Sequence, residues 1–162
     1  MHCVPDMELL TLLTVANGAP VIAKWLLGNL FAFPLDGNLK LSDGQHLFGP
    51  SKTVRGILAA IVATAAVAPL VNMPVGTGAI VGSAAMLGDL SSSFTKRRLG
   101  APPSSKAIGL DQIPESLLPL LVCRQALSLT IADIVAVTAV FFAGEILLSR
   151  LLFRLKLRDR PY

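Results

Sequence analysis

The chain has few of the side chains that build zinc sites, disulfide frameworks or soluble surfaces. Only two cysteines and two histidines occur in its 162 residues. Cys3 and Cys123 lie far apart, and His2 and His46 have no ligand spacing, so a zinc site and a disulfide framework are both excluded. Charged residues make up only 15% of the chain, whereas soluble domains have about 25%. A soluble globular domain is therefore disfavoured.

Two further absences narrow the choice of function and fold. No basic region precedes the first apolar stretch, so we expect that stretch to be a retained helix and not a cleaved secretory signal. A Walker A phosphate-binding loop is also missing, because Ser51 stands directly before Lys52 where that motif requires glycine. Internal repeats and low-complexity tracts are absent as well.

The chain does contain long apolar runs. Its mean hydropathy is +0.67 and its hydrophobic content is 53%, with the small residues that closely packed membrane helices use. A helix needs about 20 apolar residues to cross a bilayer. The predicted fold class is therefore all-α, a polytopic membrane protein whose single integral membrane domain (residues 1–162) has about five transmembrane helices. The predicted spans are 8–33, 56–73, 75–94, 116–129 and 131–152.

Cations are concentrated on one side of these spans. The two polar loops, at 34–55 and 95–115, follow odd-numbered spans, and a five-span topology returns the C-terminal tail to the same side. The opposite loops have no lysine or arginine, and the N-terminus carries Asp6 and Glu8. The positive-inside tendency predicts a multi-pass protein of the inner (cytoplasmic) membrane, with the N-terminus outside and the loops and C-terminus cytoplasmic. The cations on that side are Lys40, Lys52, Arg55, Lys96, Arg97, Arg98, Lys106, Arg150, Arg154, Lys156, Arg158 and Arg160.

A polar stripe ends the third predicted span. On a helix, Asp89, Ser93 and Lys96 share one face, and Arg97 flanks it where the helix meets water. A charged side chain at membrane depth costs about 3 kcal/mol on insertion scales, so it indicates a functional site by default. Such a stripe can hold a divalent cation through the aspartate and a phosphate through the two cations. The alternative is a cationic flank that reaches the interface beside an incidental acid.

The polar loops add further candidates. Asp111 can supply a second carboxylate for the same cation, or it can simply cap the next helix. Lys52, Thr53 and Arg55 lead into the second span, where the free N–H groups of a helix start favour phosphate. Topological charge with an ordinary cap explains those three residues equally well.

Other polar residues have weaker signals. Asp36 and Asp43 each precede a glycine, which is ordinary turn chemistry. Asn17 and Lys24 interrupt the first span, and Pro20 between them is expected to kink the helix and free backbone groups for the asparagine or a substrate.

Taken together, these segments resemble the CDP-archaeol synthase family and, more distantly, the phosphatidate cytidylyltransferases. The matching segments are NGAP at 17–20, LDG at 35–37, DG at 43–44, LFG at 47–49, KTVRG at 52–56, GD at 88–89, SFTKRR at 93–98 and LDQ at 110–112. The chain departs from the family pattern at Pro50 and Ser51, where Asp-Gly is expected. It departs again at Pro114, where a second acid is expected; Glu115 follows one residue later.

The resemblance implies a CTP-dependent cytidylyltransferase that converts a membrane lipid phosphate to its CDP-activated form and releases pyrophosphate. It implies Mg²⁺ as the cofactor, with Asp89 and Asp111 as metal ligands and Lys96 and Arg97 completing the catalytic set. The implied partners are CTP, a lipid phosphate and the bilayer, with no nucleic acid. The implied substrate-binding residues are Asn17, Asp43, Lys52, Thr53, Arg55 and Ser93.

Two other functions are alternatives to this one. A CDP-alcohol phosphotransferase is disfavoured because the aspartate-rich string of that family is absent. A non-catalytic membrane protein, such as a transporter subunit or an inactive relative that binds anionic lipid, is the main alternative. Charged residues within the predicted spans suit it; these residues are Lys24, Arg124, Asp133 and Glu145. The last three can instead pair with one another inside the bundle.

Overall fold

The computed structural model describes residues 3–102, 105 and 107–154, and the side chains of those between 6 and 147. Within this part the chain forms five α-helices and no β-strand, so the all-α prediction is confirmed. Lys106 and residues 155–162, which include three of the predicted cytoplasmic cations, lie outside the described residues. The helices are α1 (Cys3–Leu27), α2 (Val54–Val67), α3 (Val75–Arg98), α4 (Gln112–Cys123) and α5 (Ile131–Arg154), and a 3-10 turn at Ala68–Val71 extends α2.

Two stretches of the described helices are long and apolar enough to cross a membrane, Asp6–Leu27 and Val54–Val71. Large apolar side chains on their outer surfaces are exposed, including Ile22 and Val62. A bundle surrounded by lipid is expected to present such side chains, whereas a water-facing surface seldom groups them.

The first helix begins before the predicted span at 8–33 and also ends before it. It ends at Leu27 because Gly28 takes a left-handed φ of +53° while its N–H still bonds the carbonyl oxygen of Lys24 at 2.9 Å. Phe31 is also left-handed, with φ 55°. The chain therefore turns back toward α2 before reaching residue 33.

The helix near the predicted fourth span also has different bounds. α4 covers Gln112–Cys123, and the chain forms turns through residues 124–128, where Ser128 takes a φ of 52°. At 1.5 Å per residue such a helix is roughly 18 Å long, shorter than the roughly 30 Å hydrocarbon core. Asp133 and Thr130 then cap the start of α5 through their side chains.

α3 lies at the centre of the bundle and packs against α1, α2 and α4. Its Gly78 and Gly82 face α2, where an added Cβ would overlap Thr64 and its neighbours. Small residues at this spacing let two helix backbones approach closely. α5 packs against α1 and α4. The core that these helices enclose includes Leu9, Leu12, Leu13, Val81, Leu120 and Phe141.

Candidate active site on α3

A lysine and an aspartate meet where the first polar loop joins α2 and α3. Nζ of Lys52 lies 2.6 and 2.5 Å from the two carboxylate oxygens of Asp89, with side chains 22% and 24% exposed. The next residue, Thr53, caps α2 by accepting the N–H of Gly56 at 3.2 Å. The cap fixes where the loop ends, and it thereby holds the lysine beside α3.

A cavity of about 360 Å³ opens beside this pair. The first turn of α2 forms one wall, and helix starts present free N–H groups that favour phosphate. The volume lies within the roughly 300–1,000 Å³ of small-molecule sites. The cavity lining also includes Lys24, Asn29, Pro50 and Ser51, which were not assigned to substrate from the sequence. The sequence did carry a signal for Lys24, since a cation interrupts an apolar helix there.

Arg55 lines the cavity, and its guanidinium makes hydrogen bonds to its own chain. Its Nη1 donates to the carbonyl oxygens of Gly28 and Leu30, at 3.0 and 2.5 Å. Those carbonyls belong to the turn after α1, and Asn29 between them lines the cavity. The guanidinium therefore holds a wall of the cavity in place.

A second lysine–aspartate pair joins α3 to the start of α4. Nζ of Lys96 lies 2.6 Å from Oδ1 of Asp111 and donates to the carbonyl oxygen of Ser105 at 2.9 Å. The other oxygen of Asp111 accepts the N–H of Ala107 at 3.1 Å. Asp111 stands at the N-cap position of α4, yet its side chain makes no cap bond. Ordinary helix capping therefore does not explain this aspartate.

Arg97 is the most deeply buried cation of the site, with 3% exposure. Its Nη2 donates to the carbonyl oxygen of Pro102 at 2.8 Å and to Oγ of Ser105 at 3.4 Å. Nε and Nη1 are buried and have no hydrogen-bond partner among the described residues. Unused donors on a buried guanidinium are costly, and an anion such as phosphate would satisfy both.

The two pairs share one face of α3. Lys96 follows Asp89 by seven residues, which is about two turns or roughly 10 Å of helix. Ser93 is buried on the same helix between them. Oδ1 of Asp111 lies on this face through its contact with Nζ of Lys96, at 2.6 Å. The two aspartates therefore lie on the same side of the bundle.

Asp36 organises the first polar loop. Its carboxylate accepts the N–H groups of Asn38, Phe48 and Gly49, each at 3.0 Å. Burial by itself raises the pKa of Asp36, but these three donors and the nearby His46 lower it further than burial raises it, so the net pKa lies below its usual range. The carboxylate therefore stays ionised, and it holds the start of the loop against residues 48–49.

Asp43 and Asn17 are on other elements, the first loop and α1. Oδ2 of Asp43 is 2.8 Å from Nη1 of Arg98, so this exposed aspartate ties the first loop to the end of α3. Asn17 is half-buried in α1, which continues across Pro20 to its end at Leu27. Its Nδ2 is buried without a hydrogen-bond partner in the part of the chain that the structure describes.

The donor set suits one kind of metal ion. The described residues contain no group of three or more His, Cys, Asp or Glu side chains placed to hold a metal. Asp89 and Asp111 offer hard carboxylate oxygens, each beside a lysine. Mg²⁺ is typically held by one or two carboxylates, several waters and substrate phosphates. These residues therefore fit a magnesium-like ion that arrives with a phosphate ligand, and they do not form a closed metal cage.

Comparison with known proteins assigns the chain to a family. A family model described as CarS-like, CDP-archaeol synthase, matches residues 11–162. The chain is 31% identical over 156 residues to a CDP-archaeol synthase of Sulfurisphaera tokodaii, covering 91% of this chain and 89% of that relative. It is 35% identical over 131 residues to a CDP-archaeol synthase of Pyrobaculum arsenaticum, covering 78% of each.

A solved structure leads to the same family. It is described as an intramembrane enzyme for archaeal membrane lipids biosynthesis and superposes with a TM-score of 0.70 at 27% identity, covering 83% of this chain and 89% of that one. The chain is thus a membrane protein, and the non-catalytic alternative is not favoured, because the matched relatives are named as synthases. The resemblance predicted from short motifs is confirmed, and the chain belongs to the CDP-archaeol synthase family.

Proposed function

We propose that the site on α3 transfers the cytidylyl group of CTP to the phosphate of an archaeol-type ether lipid. Family membership makes the chain a CTP-dependent cytidylyltransferase that activates a lipid phosphate. The name of the relatives indicates CDP-archaeol as the product, which suggests the lipid. One observation carries the choice of site: two lysine–aspartate pairs lie on one face of α3, next to a cavity at the start of α2.

The proposed reaction is an in-line displacement between two polyanions. An oxygen of the lipid phosphate attacks the α-phosphorus of CTP, a new P–O bond forms, and the bond to the β-phosphate oxygen breaks as pyrophosphate leaves. A general base is unnecessary because the phosphate nucleophile is already ionised near neutral pH. The protein therefore has two tasks, neutralising charge and holding the reactants in line.

The side chains divide these tasks. Lys52 and the first turn of α2 bind phosphate in the cavity, and Arg97 binds phosphate through its two unused donors. Lys96 adds charge beside Arg97. Asp89 and Asp111 are the residues that would hold Mg²⁺, which supplies charge neutralisation to the phosphates when bound.

Two of the remaining predicted substrate-binding residues, Thr53 and Asp43, hold other parts of the site in place. Thr53 fixes the start of α2, and Asp43 anchors the first loop on Arg98. Asn17 and Ser93 stay proposed substrate contacts; the unused Nδ2 of the asparagine supports its assignment.

We also propose the five-span topology, with the active site on the cytoplasmic side. The contact between Asp43 and Arg98 supports it, because it puts the first loop at the same end of the bundle as the C-terminus of α3. The cations of both loops are then cytoplasmic, as the positive-inside tendency requires. In this topology α4 is too short to cross the bilayer by itself, so the turns that follow it complete the fourth span.

The test is direct. Purified protein in detergent is incubated with labelled CTP, Mg²⁺ and a panel of archaeol phosphate, phosphatidate and an isoprenoid phosphate. We expect a CDP-lipid from archaeol phosphate, faster with CTP than with UTP, and none after the divalent cation is chelated. Folded protein that yields no CDP-lipid from any member of the panel would overturn the proposed function.

A further inference from the structure

Both aspartates proposed as metal ligands already hold a cation of the protein itself. Nζ of Lys52 contacts both oxygens of Asp89, and Nζ of Lys96 lies 2.6 Å from Oδ1 of Asp111. The four side chains are 10% to 24% exposed, so these pairs are partly withdrawn from water and only partly screened by it. Each carboxylate is thus neutralised by a lysine.

A lysine and a divalent cation compete for such a carboxylate. Two positive charges around one partly buried carboxylate repel each other strongly, because the effective dielectric constant is lower there than in water. A free divalent cation must therefore displace the lysine and leave its ammonium without an anion. A nucleotide triphosphate that arrives with the cation removes this penalty by giving the lysine a phosphate.

Each lysine has a phosphate-binding element beside it. Lys52 directly precedes Thr53, the cap of α2, and both line the cavity with Arg55. Lys96 is adjacent to Arg97, whose Nε and Nη1 have no hydrogen-bond partner among the described residues. A lysine side chain is a flexible point charge, so it can change partners over a short distance more readily than the planar fork of arginine.

We infer that Lys52 and Lys96 are exchangeable partners of Asp89 and Asp111, and that they release these carboxylates to a divalent cation only when a nucleotide phosphate takes up the lysines. The inference rests on the proposed function and adds the condition under which the divalent cation binds. The cation and CTP bind as a coupled pair, while either one alone binds weakly. Because such coupling is reciprocal, each ligand must strengthen the binding of the other by the same factor.

The test measures cation binding instead of turnover. Mn²⁺, a paramagnetic substitute for Mg²⁺, is titrated without nucleotide into the detergent-solubilised full chain, and free Mn²⁺ is followed by electron paramagnetic resonance. Lys52→Met and Lys96→Met keep the length of the side chain and remove its charge. We expect each variant to bind Mn²⁺ alone roughly 10-fold more tightly than the wild type. Mn²⁺ should also strengthen CTP binding less in the variants than in the wild type.

Two controls locate the effect. Lys40→Met changes an exposed lysine of the first loop and should leave Mn²⁺ binding as in the wild type. Adding Asp89→Asn to Lys52→Met should remove the gain in Mn²⁺ affinity, because the carboxylate that Lys52→Met releases is no longer present. If a methionine variant does not fold, Lys52→Gln or Lys96→Gln replaces it.

The outcomes separate this inference from the function on which it rests. Variants that keep the unfolding midpoint of the wild type but bind Mn²⁺ alone no more tightly would overturn the lysine exchange. If the wild type still forms CDP-lipid in that case, the proposed function stands. A wild type that makes no CDP-lipid removes the function, whatever the Mn²⁺ titrations give.

Discussion

Gly88 of α3 lies directly on the backbone of Pro114 at the start of α4. A Cβ atom on residue 88 would overlap the carbonyl oxygen of Pro114 and come within 2.8 Å of the Cα of Glu115. This contact sets the distance between the helix that carries Asp89 and the one that follows Asp111. The geometry of the proposed metal site thus depends on a residue that has no side chain.

Gly88→Ala should damage both stability and activity. The added methyl group meets backbone atoms that cannot move aside, and overpacking of this kind costs about 1–3 kcal/mol. We expect a lower unfolding midpoint in detergent and at least a ~10-fold loss of kcat. The matched control is Gly76→Ala, in the first turn of the same helix, where an added Cβ meets nothing within 4 Å. Equal unfolding midpoints for the two variants would contradict this account of the helix contact.

Asp89→Asn and Asp111→Asn should each abolish formation of CDP-lipid while leaving expression intact. An amide keeps the size of the side chain but loses the charge that holds a divalent cation. We expect a loss of at least ~100-fold in kcat/KM, about 2.7 kcal/mol of transition-state stabilisation, that added Mg²⁺ does not restore. Turnover rates measured with labelled CTP decide the matter, and unchanged rates in both variants would remove the metal assignment.

Asp36→Asn should loosen the first loop without reaching the catalytic pairs. An amide has one acceptor oxygen in place of two and carries no charge, so it cannot accept all three N–H groups and it holds those of Phe48 and Gly49 more weakly. Exchange of these two amide hydrogens should therefore accelerate roughly 10-fold at neutral pH. The amide of Gln45, which bonds Asp43 instead, serves as the internal control. Equal exchange rates in the wild type and the variant would argue against the organising role.

The loop should also keep its order in mild acid. Because the pKa of Asp36 in the folded protein lies below its ordinary value of 3.8, the ionised carboxylate stabilises the loop at every pH above that value. This contribution is lost only as the pH falls through the lowered pKa. We therefore expect protection of the Gly49 amide in the wild type to persist down to about pH 3.8 and to disappear below it. Loss of protection well above that pH would show that the carboxylate is not held ionised.

Arg55→Lys distinguishes two roles for this arginine. If its charge alone bound phosphate, lysine would largely preserve activity. The hydrogen bonds to Gly28 and Leu30 require the longer guanidinium group, so we expect Arg55→Lys to lose nearly as much activity as Arg55→Ala. Faster proteolysis within residues 28–33 in both variants would accompany the loss. A lysine variant with wild-type KM and an intact turn would return Arg55 to phosphate binding.

The sequence by itself determined the features that depend on one helix alone, namely where helices form and which residues share a helix face. Apolar runs predict the helices because a bilayer or a bundle core accepts only segments whose backbone groups are satisfied internally. The helical period places Asp89, Ser93 and Lys96 on one face, whatever the rest of the chain does. Helix ends were less predictable, since the end of α1 depends on the left-handed Gly28 and on what the following turn contacts.

The tertiary structure alone decided which charges meet. Lys52 and Asp89 are 37 residues apart, and the sequence offered several lysines and aspartates as equal candidates for pairing. The cap on α2 and the glycine contact between α3 and α4 choose among them, because ionic attraction is undirected until packing fixes the backbone positions. The same packing turned Arg55 toward carbonyl oxygens of its own chain and left two donors of Arg97 free for an anion.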